Sequence, residues 1–109
     1  MAGDGKLLRL CACADVGDEF PVRVEAEGSA YAVYRVAGAY YVTADPCTHG
    51  PGSLGEGVII GEEVECPFHQ GRFHIPTGRP SLAPCTIPVR VWKTHIVDAQ
   101  VCIDPAEPA

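Results

Sequence analysis

Residues 45–74 read DPCTHGPGSLGEGVIIGEEVECPFHQGRFH, and two clusters stand in this stretch: Cys47-Thr48-His49-Gly50 and Cys66-Pro67-Phe68-His69. Sixteen residues, 50 to 65, separate the two Cys and His pairs. Each pair comes just after a strand-like run, Tyr40 to Thr43 or Glu63 to Cys66, and is followed closely by glycine, so each is expected at a loop tip. A hairpin of Val58 to Ile60 with Glu63 to Cys66 would fold the second loop back beside the first. One thiolate and one imidazole from each loop would then meet around a metal centre.

Working outward, the flanks are made of short runs rich in Val, Ile and Tyr and bounded by Gly, Pro or Asp, as strands are. The expected strands are Leu7 to Cys11, Phe20 to Ala26, Ala30 to Val36, Tyr40 to Thr43, Val58 to Ile60, Glu63 to Cys66, Ile87 to Trp92, Thr94 to Val97 and Gln100 to Ile103. Val22-Arg23-Val24-Glu25 and Val89-Arg90-Val91-Trp92 alternate, which predicts one wet face for each. Glu27-Gly28-Ser29, Ala37-Gly38-Ala39 and Gly61-Glu62 supply hairpin turns. Ten prolines and twelve glycines leave no helix window beyond a single turn near Ala14 to Asp18. An all-β sandwich or barrel follows, with a frayed polar tail from Asp104 to Ala109.

Length and charge narrow the function. A chain of 109 residues holds one domain, residues 1–109, in which the part at about 45–85 carries both Cys and His pairs. No separate substrate domain fits. Eight Lys and Arg against fourteen Asp and Glu give a net charge of -6, which disfavours a nucleic-acid partner, because phosphate binding needs clustered basic side chains. No run approaches the roughly 18 apolar residues of a membrane helix, and the opening residues show no leader pattern, so a soluble cytoplasmic protein is expected. Six cysteines, at 11, 13, 47, 66, 85 and 102, are too few and too uneven for a secreted disulfide scaffold.

Two Cys and two His are compatible with one tetrahedral zinc, or with a binuclear iron-sulfur centre that has both thiolates on one iron and both imidazoles on the other. Zinc fingers tend to pair like with like, whereas each loop here offers one of each. That pattern, Cys-x-His and then Cys-x-x-His, resembles the Rieske family. Cys47-Thr48-His49-Gly50 and Cys66-Pro67-Phe68-His69-Gln70-Gly71-Arg72-Phe73 are similar to the two cluster loops of the small Rieske ferredoxins of bacterial aromatic-ring-hydroxylating dioxygenases. The resemblance spans essentially the whole chain.

It implies a Rieske-type fold, a β-sandwich or barrel with a small cluster-binding subdomain that carries two ligand loops and one 2Fe-2S cluster. It places Cys47 and Cys66 on the inner iron and His49 and His69 on the outer iron near solvent. It further implies a soluble one-electron carrier, itself no enzyme, between a flavoprotein ferredoxin reductase and a terminal oxygenase. Rival readings are the Rieske-like small subunit of an assimilatory nitrite reductase and a zinc-stabilised interaction module.

Charge explains why such ligands suit electron transfer. Two ferric ions, two sulfides and two thiolates sum to zero, and a neutral centre accepts an electron more readily than one with four thiolates. Rieske potentials therefore span about -150 to +300 mV, against about -400 mV for plant-type ferredoxins. In respiratory Rieske proteins a Ser and a Tyr after the second His donate hydrogen bonds to cluster sulfur, and an extra Cys in each loop forms a disulfide. Gly71 and Phe73 occupy the donor places here, and Gly52 and Phe68 the places of the extra cysteines, which predicts a potential at the low end.

The remaining candidates have plainer readings. Cys11, Cys13, Cys85 and Cys102 are expected to be strand residues or spare thiols. His74 stands where the family often has Asp or Asn and reads as a surface or supporting side chain. His95 reads as a strand residue and Trp92 as a core or groove residue. Glu56, Glu62, Glu63 and Glu65 form either an acidic docking face or a solvated hairpin edge. Pro80 and Pro84, by the resemblance, would shield one flank of the cluster.

Overall fold

The protein is described from a computed structural model, for residues 7–48, 52–68, 70–83 and 85–108. Among these described residues ten strands form two antiparallel sheets. In chain order they are β1 (Leu8–Ala12), β2 (Val22–Ala26), β3 (Ser29–Val36), β4 (Ala39–Ala44), β5 (Val58–Ile60), β6 (Glu63–Glu65), β7 (Arg72–His74), β8 (Pro80–Leu82), β9 (Val91–Val97) and β10 (Gln100–Pro108). The larger sheet runs β1-β10-β9-β4-β3-β2, and β1 comes back near β2 to give an almost closed barrel. The smaller sheet runs β5-β6-β7-β8.

Strand β3 joins the two halves. Its side chains alternate, so Tyr31 and Val33 point into the barrel core, while Ala32, Tyr34 and Val36 point into a second core shared with Leu54, Val64, Phe73 and Ile75. Both faces are covered, which is why Ala30 to Val36 is a nearly unbroken apolar run. The fully buried Tyr34 needs a partner for its hydroxyl and finds Thr43 Oγ1 at 2.7 Å. In β2 the alternation is plain, with Val22 and Val24 packed on the barrel core and Arg23 and Glu25 outward.

Turn chemistry supplies the register. Glu27 and Gly28, and Ala37 and Gly38, both have positive φ, the signature of two-residue hairpins whose twist matches that of the strands. The β9–β10 turn uses Asp98 and Ala99 at φ 51° and 61° with no glycine at all. Its carbonyl end is pinned where Ala99 O accepts the Cys13 N–H at 2.9 Å.

Three expectations need correction. The tail is not frayed as far as residue 108, because β10 continues through it and Pro105 O accepts the Trp92 indole N–H at 3.0 Å. Ile87 to Arg90 is not strand, and the wet-face alternation ends at Trp92, which is buried against Tyr31 at a centroid distance of 5.1 Å. The short strands β7 and β8 and a 3-10 turn at Leu54–Glu56 went unforeseen. The single turn foreseen near Ala14 to Asp18 is a 3-10 turn at Cys13–Asp15.

Candidate metal centre

Two loops of like construction meet at one end of the smaller sheet. In the first, the Cys47 N–H donates to Gly52 O at 2.9 Å; in the second, the Cys66 N–H donates to Gly71 O at 2.8 Å. Each bond closes a loop whose first residue is a cysteine. The β5–β6 hairpin turns at Gly61 and Glu62, and brings Cys66 back beside Cys47 as its spacing predicts. The two side chains come within hydrogen-bonding reach of each other, at 5% and 0% exposure. His49 and His69, the other two expected ligands, lie outside the described residues, as do Pro51 and Pro84. Among the described residues no group of three or more His, Cys, Asp or Glu is arranged to hold a metal.

The approach of the loops depends on Gly52. A Cβ there would stand 2.5 Å from Cys66 Sγ and 2.8 Å from Phe68 Cβ, well inside contact distance. Burial pushes the Cys66 thiol up from 9.0 to about 11, with the neighbouring Cys47 raising it further and the Phe68 N–H, 3.4 Å from Cys66 Sγ, opposing the rise. A pair of dry, adjacent sulfurs is poorly served by proton loss to water. A metal cation supplies the charge that turns both into thiolates. The two cysteines are therefore chemically suited to a metal centre.

Asp45 anchors the first loop. Its buried carboxylate accepts the Ser53 hydroxyl at 2.8 and 2.9 Å, the Gly55 N–H at 2.7 Å and Arg23 Nε at 3.1 Å. Its carbonyl accepts the Leu54 N–H at 2.8 Å, and Pro46 bridges to Ser53. The segment leading to Cys47 is thus tied to the Leu54–Glu56 turn and to β2. Gly55 must be glycine for this, since a Cβ would lie 2.7 Å from Asp45 Oδ1 and 2.6 Å from Arg23 Cβ.

A third segment, residues 78–90, lies alongside. The Thr48 hydroxyl donates to Ile87 O at 2.6 Å, and Cys85 sits within hydrogen-bonding reach of Cys47. Of the two readings of Cys85, strand residue or spare thiol, the first is corrected: it lies in the β8–β9 connection, in the same buried core as Cys47. Cys11 and Cys102 are strand residues, and Cys13 opens a 3-10 turn, all three in the barrel half.

The other candidates fall around the second loop. Phe73 is fully buried opposite Val64 and offers no donor. His74 is held at the surface between Thr77, 2.9 Å from Nδ1, and Glu62, 3.2 Å from Nε2. Arg72 lies between Glu63 at 3.5 Å and Glu65 at 3.7 Å, so much of the acidic hairpin is paired on its own sheet. His95 on β9 meets Glu107 of β10 at 3.0 Å.

Residues 6–93 match the family model of the Rieske 2Fe-2S domain. The chain belongs to the Rieske family. The ferredoxin component of the p-cumate 2,3-dioxygenase system of Pseudomonas putida is 42% identical over 100 residues, which is 90% of this chain and 85% of that protein. A ferredoxin of Sphingomonas yanoikuyae B1 superposes with a TM-score of 0.86 at 47% identity, over 89% of this chain and 96% of that one. A ferredoxin from a complex of reduced oxygenase and oxidised ferredoxin in carbazole 1,9a-dioxygenase gives a TM-score of 0.83 at 41% identity, over 89% of this chain and 91% of the other. This Rieske domain carries its two-loop end on the smaller sheet, and no helix among its described residues is long and apolar enough to cross a membrane.

Residues that sequence reasoning passed over are Asp45, Ser53 and Cys85. Asp45 had a signal, a lone acid two residues before Cys47. Ser53 and Cys85 had none, since their partners are set by folding.

Proposed function

We propose that this chain is a one-electron carrier, the ferredoxin component of an aromatic-ring dioxygenase system, taking electrons from a flavoprotein reductase and passing them to a terminal oxygenase. The observation that carries the reading is the meeting of two identically closed cysteine loops, with Cys47 against Cys66 in a dry seat. The ferredoxins similar over nearly all of this chain support it. The centre is one Rieske-type 2Fe-2S cluster, held by Cys47 and Cys66 on one iron and His49 and His69 on the other. When bound, this group supplies reversible one-electron chemistry.

The chain's own residues do the rest. Asp45, through Ser53 and Gly55, holds the approach to Cys47 in place, and Gly52 leaves room for Cys66. The Phe68 N–H donates to Cys66 Sγ, and a donor to sulfur favours the reduced, more negative state. Gly71 and Phe73 add no hydroxyl donors, which holds the potential toward the low end, about -150 mV, of the Rieske range. The chain works as one Rieske unit in the cytoplasm, with residues 45–85 as its cluster-holding part.

Reconstitution tests the role. With a reductase and an oxygenase of the matching system, product should form only when this protein is added, and stopped-flow mixing should show its reduced form reoxidised by the oxygenase. Turnover at the same rate without the protein, or a reduced form that the oxygenase does not reoxidise, overturns the reading.

A further inference from the structure

Phe20 is the most exposed large apolar side chain among the described residues, at 61%, yet its backbone is pinned. The loop that carries it leaves the barrel half and reaches the smaller sheet, where the Ile59 N–H of β5 donates to Glu19 O at 2.9 Å. Pro21 narrows the conformations open to Phe20 just before β2 begins at Val22. The ring borders an open cleft of about 310 Å3 that Val58, Glu56, Cys66, Pro67 and Gln70 also line. Phe20 thus stands beside the second cysteine loop although it comes from the other half of the molecule. Of the acids nearby, Glu62 is engaged by His74, Glu63 and Glu65 by Arg72, and Asp18 by Arg35 at 3.4 Å. Glu19 and Glu56 are exposed and, among the described residues, have no ion-pair partner.

We propose that Phe20, with Glu19 and Glu56 beside it, is the anchor by which the reduced carrier docks on its terminal oxygenase, the ring entering an apolar socket with a basic rim. The inference rests on the electron-carrier reading and names the surface that selects the partner. An aromatic side chain on a pinned backbone offers a large apolar area at little cost in chain entropy, which is the make-up of an interface anchor. Two unpaired carboxylates near it favour a face that carries Lys or Arg. They repel an acidic one, a second copy of this chain at net charge -6 included. Charge also separates the two electron partners. The form that meets the oxygenase is the reduced one, which carries one negative charge more than the oxidised form that meets the reductase. An acidic flank therefore holds a basic face more tightly before the electron leaves than after, which suits delivery followed by release. The hairpin acids Glu62, Glu63 and Glu65 are engaged within their own sheet, so the docking charge lies at Glu19 and Glu56 instead.

Stopped-flow reoxidation of the reduced protein over a range of oxygenase concentrations tests this, with Phe20→Ala and the double variant Glu19→Lys with Glu56→Lys beside the wild type. Visible absorption and potential should be unchanged in both variants. Phe20→Ala should raise the half-saturating oxygenase concentration by about five- to tenfold, as the loss of an interface anchor does. The double reversal should raise it more at about 0.01 M salt than at about 0.15 M, where screening shortens the reach of exposed charge. Reduction by the reductase should stay within about twofold of the wild type in either variant. A half-saturation for Phe20→Ala within about twofold of the wild type overturns the proposal. So does a loss that falls on the reductase step alone, or a wild-type dimer in sedimentation that Phe20→Ala dissociates, since these give the surface to the reductase or to a second copy. Should Phe20→Ala lose its visible absorption, the double reversal decides by the same readings, and an unchanged half-saturation at low salt is again fatal. A wild type that the oxygenase does not reoxidise at all refutes the carrier reading instead, so the two failures are distinct.

Discussion

Replacing Asp45 by alanine removes the shared acceptor of Ser53, Gly55 and Arg23 at once. The Ser53 hydroxyl and the Gly55 N–H both donate to a carboxylate that is 3% exposed. Hydrogen bonds to an ionised partner contribute about 1.5–3 kcal/mol each, so the two together hold about 3–6 kcal/mol. Arg23 faces solvent and its ion pair is given no share. Against the roughly 5–15 kcal/mol that keeps a domain folded, the loss is large. With a urea slope of about 2 kcal/mol per molar, the unfolding midpoint followed by circular dichroism should fall by about 1.5–3 M. Ser53→Ala should cost about half as much. Because Cys47 lies two residues beyond Asp45, the visible absorption of the cluster should bleach before the barrel unfolds. A midpoint for Asp45→Ala within about 0.3 M of the wild type, some 0.5 kcal/mol by the same slope, would refute the claim that this carboxylate anchors the loop.

Gly52→Ala should abolish the cluster absorption while circular dichroism still reports strands, since the added carbon collides with Cys66 Sγ; a fully loaded variant would contradict the close approach. Stability should fall as pH rises from about 9 to 11, because the folded Cys11 thiol is pushed up from 9.0 to about 11 by burial, with Asp15 adding to it. Burial likewise raises the fully buried Tyr34 above its ordinary 10.0, so both groups stay protonated in the fold and ionise once it opens. Denaturation midpoints that are flat across that window would contradict it. Ala99→Gly should stabilise the β9–β10 hairpin by about 0.5–1 kcal/mol, since alanine holds a left-handed conformation there; an unchanged melting temperature would show that the turn carries no strain.

The hairpins were legible because their turns are local: Glu27-Gly28, Ala37-Gly38 and Gly61-Glu62 announce themselves in two residues. The meeting of Cys47 and Cys66 was legible for a related reason, since both sit at the starts of glycine-closed loops on either side of a short hairpin. Strands β7 and β8 were not, because three residues flanked by glycine and proline carry no period. They pair only because β6 offers an edge to Arg72–His74, which in turn offers one to Pro80–Leu82. The strand at the tail was hidden by its polar composition. It is held by Trp92 and by Glu107 facing His95 and Lys93, partners on a neighbouring strand. Asp45 with Arg23, and Cys85 with Cys47, are long-range pairs of the same kind: the residues are visible in the chain, but their meeting is not.

Metal and sulfide analysis of the purified protein, with electron paramagnetic resonance of its reduced form, tests the central claim most directly. The account predicts iron and acid-labile sulfide in equal amounts and a Rieske-type spectrum, lost when His49 or His69 is replaced by alanine. Stoichiometric zinc without sulfide, or a spectrum of the all-cysteine type that survives both histidine substitutions, would contradict it.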